Sequence, residues 1–323
     1  MASVKAGIVG GAGYTAGELL RILIHHPSVE VGFVHSNSNA DKPIHAIHTD
    51  LIGETDVIFT GEISTDIDVL FLCSGHGQSK AFLAEHDIPD HIKIIDLSHD
   101  FRLKDDSHSF VYGLPELQKA AIQQAKHIAN PGCFATCIQL ALLPLAKHGL
   151  LKEDVHINAI TGSTGAGQKP TNFTHFSWRN NNVSIYKAFK HQHLAEIGQS
   201  ITSLQDDFSA DLNFIPVRGD FTRGILASVY TKIDHDLNEM EDIYDQYYSE
   251  SPFVFRTGEN PSLKQVVNTN KGLVYLEKHD DKLLIVSMID NLLKGASGQA
   301  VQNMNLIFGL DERTGLQLKG SAF

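Results

Sequence analysis

The chain has 323 residues, 42% hydrophobic and 20% charged, the mixture of an ordinary globular protein rather than a disordered, collagen-like or disulfide-built one. At about 150 residues per domain, that length predicts two domains, each able to bury its own core. With 26 Lys and Arg against 38 Asp and Glu, the net charge of −12 argues against nucleic acid and anionic membrane as partners and leaves room for a local pocket that takes a small anion.

Val4 to Val9 is a short apolar run closed by Gly10, Gly11 and Gly13. Leu19, Leu20, Leu23 and Ile24 then recur at helical spacing up to Pro27, so the order is strand, tight turn, helix. Extended runs follow at 29–34, 69–73 and 92–97, with a helix over 78–86. A further helix opens at Pro115 and runs to Ala125, 127–129 makes a brief strand, and an apolar helix runs over 134–148 until Gly149 stops it. Nearly continuous apolar strands between helices predict a parallel sheet covered on both faces, a doubly wound α/β domain of Rossmann type. Beyond residue 131 the texture is richer in strands, at 155–160, 226–233, 272–278 and 283–289, the last two flanking a hairpin turn at His279, Asp280 and Asp281. Residues up to about 294 read as an α+β domain on an antiparallel or mixed sheet, followed by a final helix over 296–308.

Gly7, Gly10 and Gly13, with Gly17 a turn further on, cross the first strand-to-helix turn. Glycines there let the backbone approach a pyrophosphate, whose charge is favoured at a helix N-terminus. The spacing departs from G-x-G-x-x-G, and its place after the first strand is what supports a dinucleotide site. An NAD-binding unit would carry an acid at the end of the second strand, to meet the ribose 2′-hydroxyl. Here stand His35, Ser36, Asn37 and Ser38, with Lys42 nearby, neutral donors and a cation that suit a 2′-phosphate; NADP is the expected cofactor.

Cys73, Cys133 and Cys137 make no disulfide framework, and there is neither a long apolar span nor a basic-then-apolar start, so a cytoplasmic, membrane-free location is expected. Cys133 follows Asn130-Pro131-Gly132 at the start of the apolar helix, where the positive dipole end favours thiolate and free N–H groups can meet an oxyanion. A zinc pair of Cys133 and Cys137 lacks both C-x-x-C spacing and a second ligand pair, so no metal is expected. His191 and His193 flank Gln192 just before a predicted helix; one can serve as general acid or base while the other orients substrate. Arg218, Arg223 and Lys187 are candidates for holding a carboxylate or phosphate.

The ordered stretches Gly10-Gly11-Ala12-Gly13-Tyr14-Thr15, Asp100-Phe101-Arg102, Tyr112-Gly113-Leu114-Pro115-Glu116, Asn130-Pro131-Gly132-Cys133-Phe134-Ala135-Thr136, Gly165-Ala166-Gly167, His191-Gln192-His193 with Glu196-Ile197, Thr222-Arg223-Gly224-Ile225 and Asp290-Asn291-Leu292-Leu293-Lys294-Gly295-Ala296 resemble the N-acetyl-γ-glutamyl-phosphate reductase family, relatives of the aspartate-semialdehyde dehydrogenases, over nearly the whole chain. Cys137 stands where that family has a small residue, Ala195 replaces a proline, Gln192 an arginine, and Val217 falls where a histidine is common.

The resemblance implies that Cys133 attacks an acyl phosphate, expels phosphate as a thioester forms, and that NADPH reduces the thioester to a semialdehyde. Taken with the residue readings above, it gives Gly10, Gly11, Gly13, Tyr14, Thr15, Ser36, Asn37, Ser38, Lys42, Gly165 and Asn291 as the expected cofactor set, and Arg102, Asn130, Lys187, Arg218 and Arg223 as the expected substrate set. It joins 295–323 to 1–131 as an NADP-binding domain, leaving 132–294 for catalysis and for assembly into a homodimer or homotetramer. An aspartate-semialdehyde dehydrogenase and a non-catalytic dinucleotide-binding regulator remain the alternative readings.

Overall fold

A computed structural model describes residues 3–75 and 77–321; the outermost ends of the expected domains, Met1 and Phe323, lie outside the described residues. The chain divides into two compact units, Met1–Pro131 with Ala296–Gln317, and Gly132–Gly295 with Leu318–Phe323. Gly295 and the segment from Leu318 therefore group with the second unit, where the resemblance had put them in the first. The Ser321 N–H donates to the Val267 carbonyl at 3.4 Å, and Gly320 lies against Thr269, which ties that segment down.

The first unit carries strands β1 (Val4–Val9), β2 (Val29–His35), β3 (Phe59–Thr60), β4 (Val69–Leu72), β5 (Lys93–Asp96), β6 (Val111–Tyr112) and β7 (His127–Ala129), in the order β3-β2-β1-β4-β5-β7-β6, with every ladder parallel. Because β1 pairs with β2 on one side and β4 on the other, the strand order reverses there, the place where such sheets take ligands beyond their C-terminal ends. Helices α1 (Tyr14–Leu23), α2 (Gln78–Glu85) and α3 (Pro115–Gln124) make the connections.

The second unit begins with α4 (Cys133–Lys147), buried without a break from Phe134 to Ala146. Its strands β8 (Val155–Thr161), β9 (Ser184–Ile185), β10 (Leu212–Arg218), β11 (Ile225–Lys232), β12 (Val254–Arg256), β13 (Gly272–His279) and β14 (Lys282–Ile289) form a mixed sheet ordered β12-β13-β14-β11-β8-β10-β9. The β8–β10 and β12–β13 ladders are parallel and the rest antiparallel. In the β13–β14 hairpin His279 pairs with Lys282, and Asp280 takes the left-handed φ of 49° that a two-residue turn requires. Besides the short α5 (Phe176–Arg179), there are α6 (His193–Leu204) and α7 (Leu237–Tyr248); α4 packs on the central strand β11, α6 on α4 and β10, and α7 on α4, β12 and β13, all sharing one apolar core with the inward residues Ile225, Ala227 and Val229.

The alternate residues of that central strand, Leu226 and Tyr230, are only partly covered on the other face, where Val266, Leu273, Val286 and Met288 form a smaller apolar cluster. The last helix, α8 (Ser297–Ile307), belongs to the first unit. It is buried throughout although it carries Gln299, Gln302, Asn303 and Asn305, and amide N–H groups among these find partners: Asn303 Nδ2 donates to the Gly113 carbonyl at 2.9 Å and to Asn130 Oδ1 at 3.1 Å. Among the described residues no helix is long and apolar enough to cross a membrane.

Candidate active site

In the first unit the turn between β1 and α1 is shaped by contacts that exclude side chains. Gly10 has φ of 79°, and a Cβ there would stand 2.8 Å from the Cys73 and Ser74 backbone, so only glycine serves. At Gly13, the N-cap of α1, the nearest atom to such a Cβ is the Gly10 oxygen at 3.9 Å; this is the open side of the turn, where a phosphate can approach the helix N-terminus. Tyr14 and Thr15 open the helix, Tyr14 exposed and the Thr15 carbonyl accepting from Ser297 Oγ at 2.7 Å. Gly7 plays another part, since it gives way to the Phe33 ring inside the sheet.

A cavity of about 900 Å³ extends from Gly10 along the ends of the strands and is lined by His35, Ser36, Asn37, Ser38 and Ser74, with Glu62 and Glu85 also in its lining. Its place at the reversal in strand order, beside an unobstructed helix N-terminus, fits a dinucleotide. Lys42 turns to Asn39 Oδ1 at 3.3 Å.

The three cysteines, Cys73 in the first unit and Cys133 and Cys137 in the second, differ in access. Cys73 and Cys137 are buried and burial pushes both thiols up to about 12, Cys137 donating to the Ser287 carbonyl at 3.3 Å; Cys133 is half-buried. Cys133 is the first residue of α4, directly after the N-cap Gly132, so its sulfur sits at the positive end of a fifteen-residue helix. The Gly132 N–H donates to Glu196 Oε2 at 2.9 Å, and the other oxygen of this buried carboxylate lies 3.9 Å from His193 Nε2.

His191 and His193 are both buried, their rings 4.5 Å apart, and both meet the Phe134 ring, the residue next to the thiol. The His193 N–H donates to His191 Nδ1 at 3.2 Å, which makes His191 Nε2 the protonated nitrogen of a neutral ring. Burial, with the Lys187 charge adding to it, lowers His191 to about 4, so it stays neutral near pH 7.

Arg218 lies over the Tyr186 ring at 4.8 Å and donates to the Gly162 carbonyl at 2.8 Å. Its Nη1 is 3.0 Å from where a Cβ on Gly165 would stand, so Gly165, Arg218 and Tyr186 adjoin. Burial pushes the Tyr186 phenol up to about 12, Arg218 pulling it down and charge on Cys133 pushing it up; the phenol is a proton donor at neutral pH and lies within electrostatic reach of the sulfur. Asn291 accepts from the Gly224 N–H at 2.7 Å and donates to Thr164 at 3.0 Å, while Gly295, at the end of the same turn, stands 2.9 Å from the Cys133 Cβ, measured from an added side chain. Lys187, at a left-handed φ of 46°, reaches Gln192 Oε1 at 3.1 Å.

Two of the arginines are otherwise engaged. Arg223 forms a two-point ion pair with the fully buried Asp290 at 3.1 and 3.2 Å, and Asp290 also accepts from the N–H groups of Asn268, Leu292 and Leu293. Buried Arg102 donates to the Asn130 and Leu97 carbonyls at 2.8 and 3.0 Å, and Asn130 in turn donates to the Ala296 carbonyl. Glu196 and Tyr186 are the residues that sequence reasoning left out of the site, although Glu196, one helical turn from His193, carried the signal. Among the described residues no cluster of three or more His, Cys, Asp or Glu is placed to hold a metal ion.

A parallel sheet with a dinucleotide cavity, joined in one chain to a mixed-sheet unit that presents a helix-start thiol, defines the semialdehyde dehydrogenase class. Family models described as the NAD binding domain and the dimerisation domain of semialdehyde dehydrogenase match residues 5–125 and 133–291. The fold is also that of aspartate semialdehyde dehydrogenase II from Vibrio cholerae, solved in complex with ASA, at a TM-score of 0.75 and 18% identity over 96% of this chain and 99% of that one. At full length the chain is 61% identical to N-acetyl-gamma-glutamyl-phosphate reductase of Parabacteroides distasonis and 61% to that of Phocaeicola vulgatus, each match covering 99% of this chain and all of the relative. The chain belongs to the N-acetyl-γ-glutamyl-phosphate reductase family.

Proposed function

We propose that this enzyme reduces N-acetyl-γ-glutamyl phosphate to N-acetylglutamate 5-semialdehyde and phosphate, a step of arginine biosynthesis in the cytoplasm, with NADPH as reductant and Cys133 as nucleophile. The observation that carries the chemistry is Cys133 at the start of α4, the one half-buried thiol of the three, with two histidines packed on its neighbour. Cys133 attacks the acyl carbon of the mixed anhydride, and the carbon–oxygen bond to phosphate breaks to leave a thioester. Arg218 and the Tyr186 hydroxyl supply positive charge and a proton donor for the departing phosphate. When bound, the reduced nicotinamide supplies a hydride to the thioester carbon.

His193 protonates the oxygen as the thiohemiacetal forms and takes that proton back as the carbon–sulfur bond breaks, which releases aldehyde and thiolate. Glu196 stabilises the cation His193 passes through, and His191, held neutral, offers its Nε2 proton to orient substrate. Arg223 and Arg102 act as braces: the first fixes the Asp290–Asn291 turn, the second the Asn130 carbonyl ahead of the thiol.

The preference for NADPH rests on the neutral Ser36, Asn37 and Ser38 after β2. Assembly into a homodimer or homotetramer rests on the sheet face that carries Leu226 and Tyr230, within a unit matching a dimerisation domain. The relatives near 60% identity support the longer substrate over aspartyl phosphate, since the aspartate-semialdehyde dehydrogenase likeness at 18% shows fold alone.

Cys133→Ser tests the reading. Turnover should fall on the order of a thousandfold or more while NADPH affinity holds within about twofold. Near-normal turnover by the serine enzyme would remove the covalent route.

A further inference from the structure

The turn between β1 and α1 is braced from beneath by a residue far along the chain. His48 is buried, and its Nε2 lies 2.7 Å from the Gly11 carbonyl oxygen; since a carbonyl only accepts, Nε2 carries the proton and donates. The Gly11 N–H is itself fixed, donating to the His35 carbonyl at 2.9 Å, so this residue is held at both of its polar groups. In a trans peptide the C=O and N–H point opposite ways. Drawing the Gly11 carbonyl down onto His48 therefore aims the Ala12 N–H of the same peptide away from the ring, on the side of the turn where Gly13 is open.

Gly17 completes the arrangement. A Cβ there would stand 2.6 Å from His48 Nδ1, so the imidazole occupies the space a side chain at that position would need. The Phe59 ring, its centroid 6.2 Å from that of the imidazole, confines it further. The fourth glycine of the series thus serves the histidine rather than the ligand.

We infer that His48 is a positioning residue for the cofactor: its hydrogen bond to Gly11 orients the peptide that meets the dinucleotide's phosphates, and Gly17 is small to admit it. This rests on reading the first unit as a dinucleotide site, and NADPH is the probe. His48→Leu removes the donor, whereas His48→Gln has an amide able to reach the same carbonyl. The Kd and KM for NADPH of the leucine variant should rise about tenfold, with kcat at saturating cofactor within about twofold, while the glutamine variant stays within about threefold of the wild type.

Should the leucine variant fail to fold, Gly17→Ala asks the same question, because its methyl group drives the ring off the carbonyl; its NADPH Kd should rise likewise. An unchanged Kd in whichever of the two variants folds, or equal losses in the leucine and glutamine variants, overturns the inference and leaves the dinucleotide reading standing. A wild type that binds neither NADPH nor NADH overturns both together.

Discussion

At the scale of single residues, what distinguishes the site is how differently like groups are treated. Three thiols share one chain, yet two are kept protonated by burial and one stands at a helix start. Two histidines share one tripeptide, yet only one has a carboxylate at its imidazole. The depressed pKa of His191 has a consequence for stability with a definite sign. Its folded value, about 4, lies below the ordinary 6.5, so between those pH values the unfolded chain binds the proton and the folded one does not. This group's contribution is complete above pH 6.5 and is lost as pH falls toward 4.

His191→Asn keeps a side-chain acceptor and removes the titration. Its Tm should decline less steeply than that of the wild type over this interval, and parallel Tm profiles would show that His191 does not titrate as described. The place of Cys133 at a helix start was legible from Pro131-Gly132 and the apolar run that follows. The engagement of Arg223 was not, because its partner Asp290 lies 67 residues away and only the fold brings them together.

At the scale of elements, most strands and helices could be read from apolar period and from glycine and proline punctuation. The exceptions have physical causes. Strand β10 contains Pro216, which demotes a run in sequence; its missing N–H is tolerable here because only the two-residue β9 covers that side, where the Pro216 carbonyl accepts from Tyr186. Helix α7 is mostly polar outside Met240, Tyr244 and Tyr248, so its buried stripe is narrow. The two-residue strands β3 and β6 are too short to show any period.

The end of β2 bears on cofactor choice. Residues 36–40, directly after it, include no acid, while Glu62 and Glu85 line the same cavity, so the balance is open to direct measurement. The wild type should favour NADPH over NADH in kcat/KM, and Asn37→Asp, by setting a carboxylate near the 2′-phosphate, should reduce that ratio about tenfold. A ratio that does not move places the phosphate elsewhere.

At the scale of the whole molecule, the mixed sheet is dressed on one side by α4, α6 and α7 and far less on the other. Tyr230 is 43% exposed there and stacks on His156 at 4.7 Å, beside the half-buried Leu226 and Leu284. The assembly proposed above would cover this aromatic and aliphatic surface with a second copy of the chain. Tyr230→Arg should lower the mass measured by light scattering to that of one chain, with the fold retained by circular dichroism; a variant that keeps the wild-type assembly would move the interface to another face.

The path of the backbone also sets an order of completion during synthesis. Residues 132–295 form an almost contiguous body, whereas the parallel-sheet unit needs α8, which begins 170 residues after its seventh strand does. Asn303 bonds to Gly113 and Asn130, so the earlier-made body holds polar groups whose partner has yet to leave the ribosome. The half made first is thus finished last, and a chain arrested before α8 would present a nucleotide-type sheet with one flank still bare.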